Sequence, residues 1–178
     1  MTHLVNAVGG GDLGVEVDLP SIAKRNDILN IQYDPEVASN LCFQLSEEGP
    51  TIILYRTGAF SIAGANSIQD LRQAFQRLRE YIAKLIIYPE NSDFEVRYLV
   101  FKSELGYEID LNELYEHLNP GSVEYEPEQF PQLKYDPENH RGVFMISRTG
   151  SIIYTGDRSR KNAKDAIDEL RSQLRRFG

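Results

Sequence analysis

The chain has a single cysteine, Cys42, in 178 residues. One cysteine excludes an internal disulfide framework and fits a reducing cytosol. The three histidines, His3, His117 and His140, show no metal-ligand spacing with one another or with Cys42. No metal and no cofactor is therefore expected. No apolar run reaches membrane-spanning length, and the Met1 end lacks a basic-then-apolar signal, so neither a membrane role nor export is expected. Catalytic motifs are absent: there is no Gly-x-Ser-x-Gly and no His-Glu-x-x-His. Gly9-Gly10-Gly11 is followed by no Gly-Lys-Ser/Thr, and no helix opens directly after it. It reads as a flexible turn rather than a phosphate cradle. Glu47-Glu48, Glu126 and Glu128 lie in turns, where solvated carboxylates are the default, and no enzyme is expected. Positive charge is also in short supply, with 19 Lys and Arg against 27 Asp and Glu. The formal net charge of −8 argues against unfocused nucleic-acid binding but leaves a local basic face open.

What the chain does have is a repetition. Tyr33-Asp34-Pro35-Glu36 returns as Tyr125-Glu126-Pro127-Glu128, and Arg56-Thr57-Gly58 returns as Arg148-Thr149-Gly150. Gly64 is matched by Gly156, and the block Asp12 to Leu19 by Glu104 to Leu111. All four blocks share one offset of 92 residues. A repeat of this length is too long for a solenoid unit, so two copies of a small domain are expected, residues 1–88 and 94–178.

Periodicity and turn chemistry give each copy the same plan. Strands are expected at 3–8, 28–33, 41–45, 51–55 and 60–63, then at 94–102, 123–125, 133–135, 142–147 and 151–155. Asp18 and Asp110 are candidate N-caps of short helices over 19–24 and 111–118, with Pro20 tolerated in the first turn. Ser67 with Asp70 resembles a capping arrangement for a long helix striped by Leu71, Ala74, Phe75, Leu78, Ile82 and Leu85. Ser159 caps the matching helix, striped by Ala163, Ala166, Ile167, Leu170, Leu174 and Phe177. The class is α+β, and helices on one face of an antiparallel sheet leave the other face free for a partner.

Tyr125-Glu126-Pro127-Glu128-Gln129-Phe130-Pro131-Gln132-Leu133, with Ile53-Leu54-Tyr55-Arg56-Thr57-Gly58 and Ile62-Ala63-Gly64-Ala65, resembles the repeat of the archaeal and eukaryotic TATA-box-binding protein. The resemblance runs over nearly the full length. It implies two pseudo-symmetric repeats forming a saddle, with one curved antiparallel sheet and helices on the convex face. It further implies a transcription initiation factor that recognises promoters by binding A·T-rich duplex DNA in the minor groove, with wedge side chains and kinking. This family is the standing example of those mechanics, which come with the resemblance rather than from spacing. Transcription factor B is the implied protein partner, RNA polymerase machinery an indirect one, and the archaeal cytosol, at the nucleoid, the implied location. Self-association of two copies stays open.

Carried over position by position, the resemblance implies DNA contacts at Asn6, Val8, Tyr55, Thr57, Tyr98, Val100, Phe130, Thr149, Thr155 and Arg158. Glu126 and Glu128 are the implied contacts for transcription factor B. Strand alternation puts Asn6 and Val8, then Tyr55, Thr57, Ala59, Ser61 and Ala63, on shared faces. The second copy offers Tyr98 and Val100, then Ser147, Thr149, Ser151, Ile153 and Thr155. These faces are expected to carry almost no formal charge. The chain also departs from the family pattern. Tyr98 replaces the second Asn, Ala38 and Ser147 replace two of four wedges, and Ala63 replaces a Thr. Ala59, Ser151 and Asn66 stand where lysines are usual, and Arg158 replaces another. Arg56, Arg148, Arg158, Arg160, Lys161 and Lys164 are candidates to restore that charge. The alternative reading is a paralogue with weakened DNA binding that acts as a protein-interaction or regulatory module.

Overall fold

The computed structural model describes residues 1–86 and 88–177; positions 87 and 178, inside the two expected repeats, lie outside it. In chain order the elements are β1 (His3–Asp12), α1 (Leu19–Ala23), β2 (Leu29–Gln32), β3 (Asn40–Gln44), β4 (Thr51–Tyr55), β5 (Ala59–Ala65) and α2 (Ile68–Leu85). They continue with β6 (Glu95–Glu104), α3 (Leu111–His117), β7 (Val123–Glu124), β8 (Leu133–Tyr135), β9 (Val143–Ile146), β10 (Ser151–Asp157) and α4 (Arg160–Leu174). A 3-10 turn over Arg175–Phe177 follows α4. The contacts divide into two compact units: Asn6–Arg97, here the N-terminal unit, and Tyr98–Gly178 with Met1–Val5, the C-terminal unit.

Each unit is an antiparallel sheet with one short and one long helix. The N-terminal unit has strand order β2-β3-β4-β5-β1, and the C-terminal unit β6-β10-β9-β8-β7 with β6 matching β1. Alternation divides the side chains cleanly. In the N-terminal unit Leu41, Phe43, Ile52, Leu54, Phe60 and Ile62 are buried with Leu71, Ala74, Leu78 and Ile82 of α2. Phe101, Phe144, Ile146, Ile152 and Tyr154 do the same in the C-terminal unit, with Ala163, Ala166, Ile167, Leu170 and Leu174 of α4. Burial of these stripes, not helix propensity, holds both long helices. Their starts are capped as the sequence indicates: Ser67 Oγ accepts from the Asp70 N–H at 3.0 Å, and Ser159 Oγ from the Asn162 N–H at 3.3 Å. Asp18 and Asp110 cap α1 and α3.

The offset seen in the sequence returns in the backbone. Gly14, Gly58 and Gly64 have φ of 70°, 95° and 90°, and Gly106, Gly150 and Gly156 have 89°, 83° and 105°. At Gly58 the chain turns so tightly that a Cβ would lie 2.2 Å from the Val15 carbonyl oxygen, and at Gly150 a Cβ would lie 2.2 Å from that of Tyr107. The same turns tie in the strand-to-helix loops: the Leu13 N–H donates to Gly58 O and the Leu105 N–H to Gly150 O, both at 2.9 Å.

One expectation fails. Gly9-Gly10-Gly11 is not a turn; β1 runs through it, with Gly9, Gly10 and Gly11 opposite Ile62, Ser61 and Phe60 of β5. The missing side chains make room for the chain segment that precedes and opens β6. A Cβ on Gly9 would meet the Phe94 ring at 2.7 Å, and one on Gly11 the Asp93 carbonyl oxygen at 2.2 Å. Glycine in a strand marks this kind of close backbone approach, and a local reading cannot tell it from a break.

Gly58→Ala and Gly150→Ala combine a left-handed backbone with a collision against a carbonyl. Each is expected to destabilise the protein by about 2 kcal/mol or more in urea unfolding. A loss below about 0.5 kcal/mol in either would contradict the turn geometry.

Candidate nucleic-acid interface

With one face of each sheet committed to the helices, the candidate site is the opposite face. In the N-terminal unit it carries Asn40 and Cys42 of β3, Thr51 and Ile53 of β4, and Ala59, Ser61 and Ala63 of β5, all half-buried. None is charged, as expected. Asn6 of β1 is fixed there: its Oδ1 accepts from the Gly64 N–H at 2.9 Å. That backbone donor decides which way the amide points, so Nδ2 is turned outward as a donor, with no acceptor among the described residues. Val8 is almost closed off at 4% exposed. Tyr55 ends β4 with its ring 38% exposed. Thr57, in the following turn, is exposed, and its Oγ1 accepts from the Ala59 N–H at 3.4 Å.

The C-terminal unit presents Tyr98, 39% exposed, and half-buried Val100, which lies opposite Thr155 of β10. Phe130 is 46% exposed at the end of a turn in which the Gln129 and Phe130 N–H groups both donate to Glu126 O at 2.9 Å. The N-terminal unit builds the same turn, with Val37 and Ala38 donating to Asp34 O, but carries Ala38 where Phe130 stands. Glu126 and Glu128 are both exposed in this turn. Ser147 is tied into its own turn, exchanging hydrogen bonds with the Ser151 backbone and Thr149 Oγ1. Arg158 is exposed between β10 and α4.

The expectation of almost no formal charge needs correcting for the C-terminal unit. Alternation beyond Val100 brings Lys102 and Glu104 to the same face, opposite Ile153 and Ser151. Lys102 Nζ lies 3.1 Å from Glu104, and Ser151 Oγ donates to the same carboxylate at 3.0 Å. Lys102 first, then Ser151, holds the Glu104 carboxyl below its ordinary range. Lys134 of β8 pairs with Glu124 of β7 at 3.0 Å. The corresponding positions in the N-terminal unit are Gly10, Asp12, Gln32 and Cys42, of which only Asp12 is charged. The face is nearly neutral by pairing, not by composition.

Two further candidate cations are elsewhere. Arg160 and Lys164 line a hollow with Phe101, a core-facing residue, and so belong to the α4 side of the sheet. Among the described residues no group of His, Cys, Asp and Glu is placed to hold a metal ion, and no helix is long and apolar enough to cross a membrane.

The family model of transcription factor TFIID, or TATA-binding protein, matches residues 1–85 and again 93–177. The chain belongs to the TATA-binding-protein family. It is 32% identical over 174 residues to TATA-box-binding protein C of Halobacterium salinarum, covering 97% of this chain and 96% of that one. It is 28% identical to the TATA-box-binding protein of Archaeoglobus fulgidus, covering 97% and 94%. The solved TATA-binding protein of Methanococcus jannaschii superposes with a TM-score of 0.80 at 26% identity, covering 99% of both chains. The α+β fold of two repeats is that of this family, whose members are transcription factors and not enzymes.

The Asn6 geometry separates its two ends. Asn6→Asp keeps the acceptor for Gly64 and is expected to hold stability within about 0.5 kcal/mol, whereas Asn6→Ala is expected to cost about 1 kcal/mol. Equal losses in thermal or urea unfolding would contradict the assigned orientation.

Proposed function

We propose that this protein is a transcription initiation factor that binds A·T-rich promoter duplex in the minor groove with the helix-free faces of its sheets, bends it, and recruits transcription factor B. The observation that carries this reading is Asn6: an amide fixed by Gly64, with its donor turned out of an uncharged face. The minor groove of A·T pairs displays only acceptors, adenine N3 and thymine O2. A donor on an apolar surface matches it, and the guanine amino group of a G·C pair would meet that donor unfavourably. Ser61 and Thr155 add hydroxyls, and Val100 adds apolar contact.

Tyr55 and Phe130 are the wedges in this reading, exposed aromatics that end a strand and a turn respectively. Inserted into a base step, such a ring exchanges stacking energy for a bend, a mechanism of which this family is itself the standing example. Flexible TA steps make that exchange cheap. Arg158, Thr57 and Thr149 act at the edges. Exposed Glu126 and Glu128 offer two carboxylates to a basic surface on transcription factor B. All of this would take place in the archaeal cytosol, with RNA polymerase joining later.

The Lys102–Glu104 and Lys134–Glu124 pairs favour a second reading, a paralogue with weakened DNA binding acting as a protein-interaction or regulatory module. Glu104 and Glu124 would stand near phosphates, and their lysines are engaged.

Fluorescence anisotropy separates the two. A TATA-containing duplex is compared with a scrambled one across a salt series, with and without transcription factor B. Preference for TATA with a finite salt slope is expected; no preference at any salt, even with the partner, selects the paralogue. Phe130→Ala and Tyr55→Ala are each expected to lower affinity about tenfold and reduce the bend read by energy transfer between the duplex ends. Unchanged affinity and bend in both would remove the wedges. Glu126→Arg is expected to spare binary binding and abolish the ternary complex.

A further inference from the structure

One concavity of the C-terminal unit lies on the α4 side of its sheet and not on the free face. It is a trough of about 580 Å³ lined by Met1 and Thr2, by Phe101, and by Arg160, Lys164, Asp168 and Arg171 of α4. Positions 160, 164, 168 and 171 share one stripe of α4, as the helical period requires. Arg171 is anchored: its Nη1 donates to Ser103 Oγ at 2.7 Å and to Glu104 O at 2.9 Å. Among the described residues, no ion pair engages Arg160, Lys164 or Arg171. Three cations without a carboxylate partner around one hollow stand out in a chain of net charge −8.

The N-terminal unit shows what fills this position. There the residues matching Phe101, Ile152, Ile167 and Arg171 are Gly9, Phe60, Phe75 and Arg79, and the chain itself lies across them. The Phe94 ring stacks on Phe75 at 4.7 Å and on Phe60 at 6.5 Å, against Gly9. Tyr88 lies over Arg79 at 5.1 Å. Tyr88-Pro89-Glu90-Asn91-Ser92-Asp93-Phe94 is thus a peptide seated on the helix side of its sheet, with two carboxylates in seven residues. In the C-terminal unit Phe101 supplies a ring where Gly9 has none, Met1 and Thr2 stand at the positions matching Asp93 and Phe94, and the hollow runs between them and the stripe of α4.

We propose that this trough binds an extended acidic segment of a partner protein. From Arg160 to Arg171 the helix advances about 16 Å, a span that about five extended residues cover. Three cations along that length fit carboxylates spaced on a chain better than one compact anion. The N-terminal unit supplies the precedent for a peptide at this place, and Asp168 sets the selectivity against segments with few acids. The site is separate from the duplex-binding face and does not rest on it.

The test is anisotropy of a fluorescein-labelled oligo-glutamate peptide with the full-length protein. Salt-dependent binding is expected, weakened about tenfold by Lys164→Glu and less than about twofold by Lys161→Glu, which makes the same charge change on another face of α4. Asp168→Asn is expected to tighten it. TATA-duplex binding, measured in parallel, stays unchanged in Lys164→Glu and Asp168→Asn, so failure here and failure of DNA binding are read separately. Equal effects of the two lysine variants, or displacement of the peptide by pyrophosphate at equimolar concentration, would overturn the proposal. So would a concentration-dependent dimer in sedimentation that Lys164→Glu dissolves, which would give the trough to a second copy of this chain.

Discussion

The constraint on which the rest depends is that a β-strand has two faces and a helix can cover only one. Leu71, Ala74, Leu78 and Ile82 of α2, and Ala163, Ala166, Ile167, Leu170 and Leu174 of α4, form apolar stripes that must be buried. Each takes the alternate residues of its sheet, and every residue between them is turned outward. Asn6, Ser61, Ala63, Val100 and Thr155 become available to a ligand because Ile62, Leu99 and Tyr154 are committed to the core. Fold and site are two consequences of one alternation.

Duplication lets the same backbone carry two different surfaces. The turns at Gly58 and Gly150, the caps at Ser67 and Ser159, and the carbonyls of Asp34 and Glu126 that hold matching turns are structural, and both copies keep them. The outward residues are released from that constraint. Ala38 corresponds to Phe130 in the repeat and Tyr55 to Ser147, so each copy keeps one aromatic of the pair. Gly10, Asp12, Gln32 and Cys42 correspond to Lys102, Glu104, Glu124 and Lys134, so at these positions one free face carries the single charge of Asp12 and the other is neutralised by pairing. Exposed pairs of this kind contribute little to stability, typically below about 1 kcal/mol, so they are free to serve recognition.

Legibility followed the range of the interaction. Caps, helix stripes and the turns at Arg56-Thr57-Gly58 and Arg148-Thr149-Gly150 involve residues within a few positions of one another, and local pattern reads them. Gly9-Gly10-Gly11 was misleading because its reason lies in Asp93 and Phe94, more than 80 positions away in a chain of 178. The charges of Lys102, Glu104, Lys134 and Glu124 were visible, but not their pairing along β6 and across β7 and β8. Arg160 and Lys164 are cations in sequence with nothing to say which side of the sheet they serve; the direction of α4 decides that they join Phe101.

By itself, then, the amino-acid order determined the repeat, the family, the class of fold and which side chains alternate, because each of these is written in spacing along one chain. Only the tertiary structure decided which end of Asn6 is available, how far Val8 is closed off, which carboxylates are neutralised, and that Arg160, Lys164 and Arg171 line one trough behind the C-terminal sheet. The physical reason is that hydrogen bonding, burial and ion pairing depend on distance in space, and strands that pair here come from far apart in the chain.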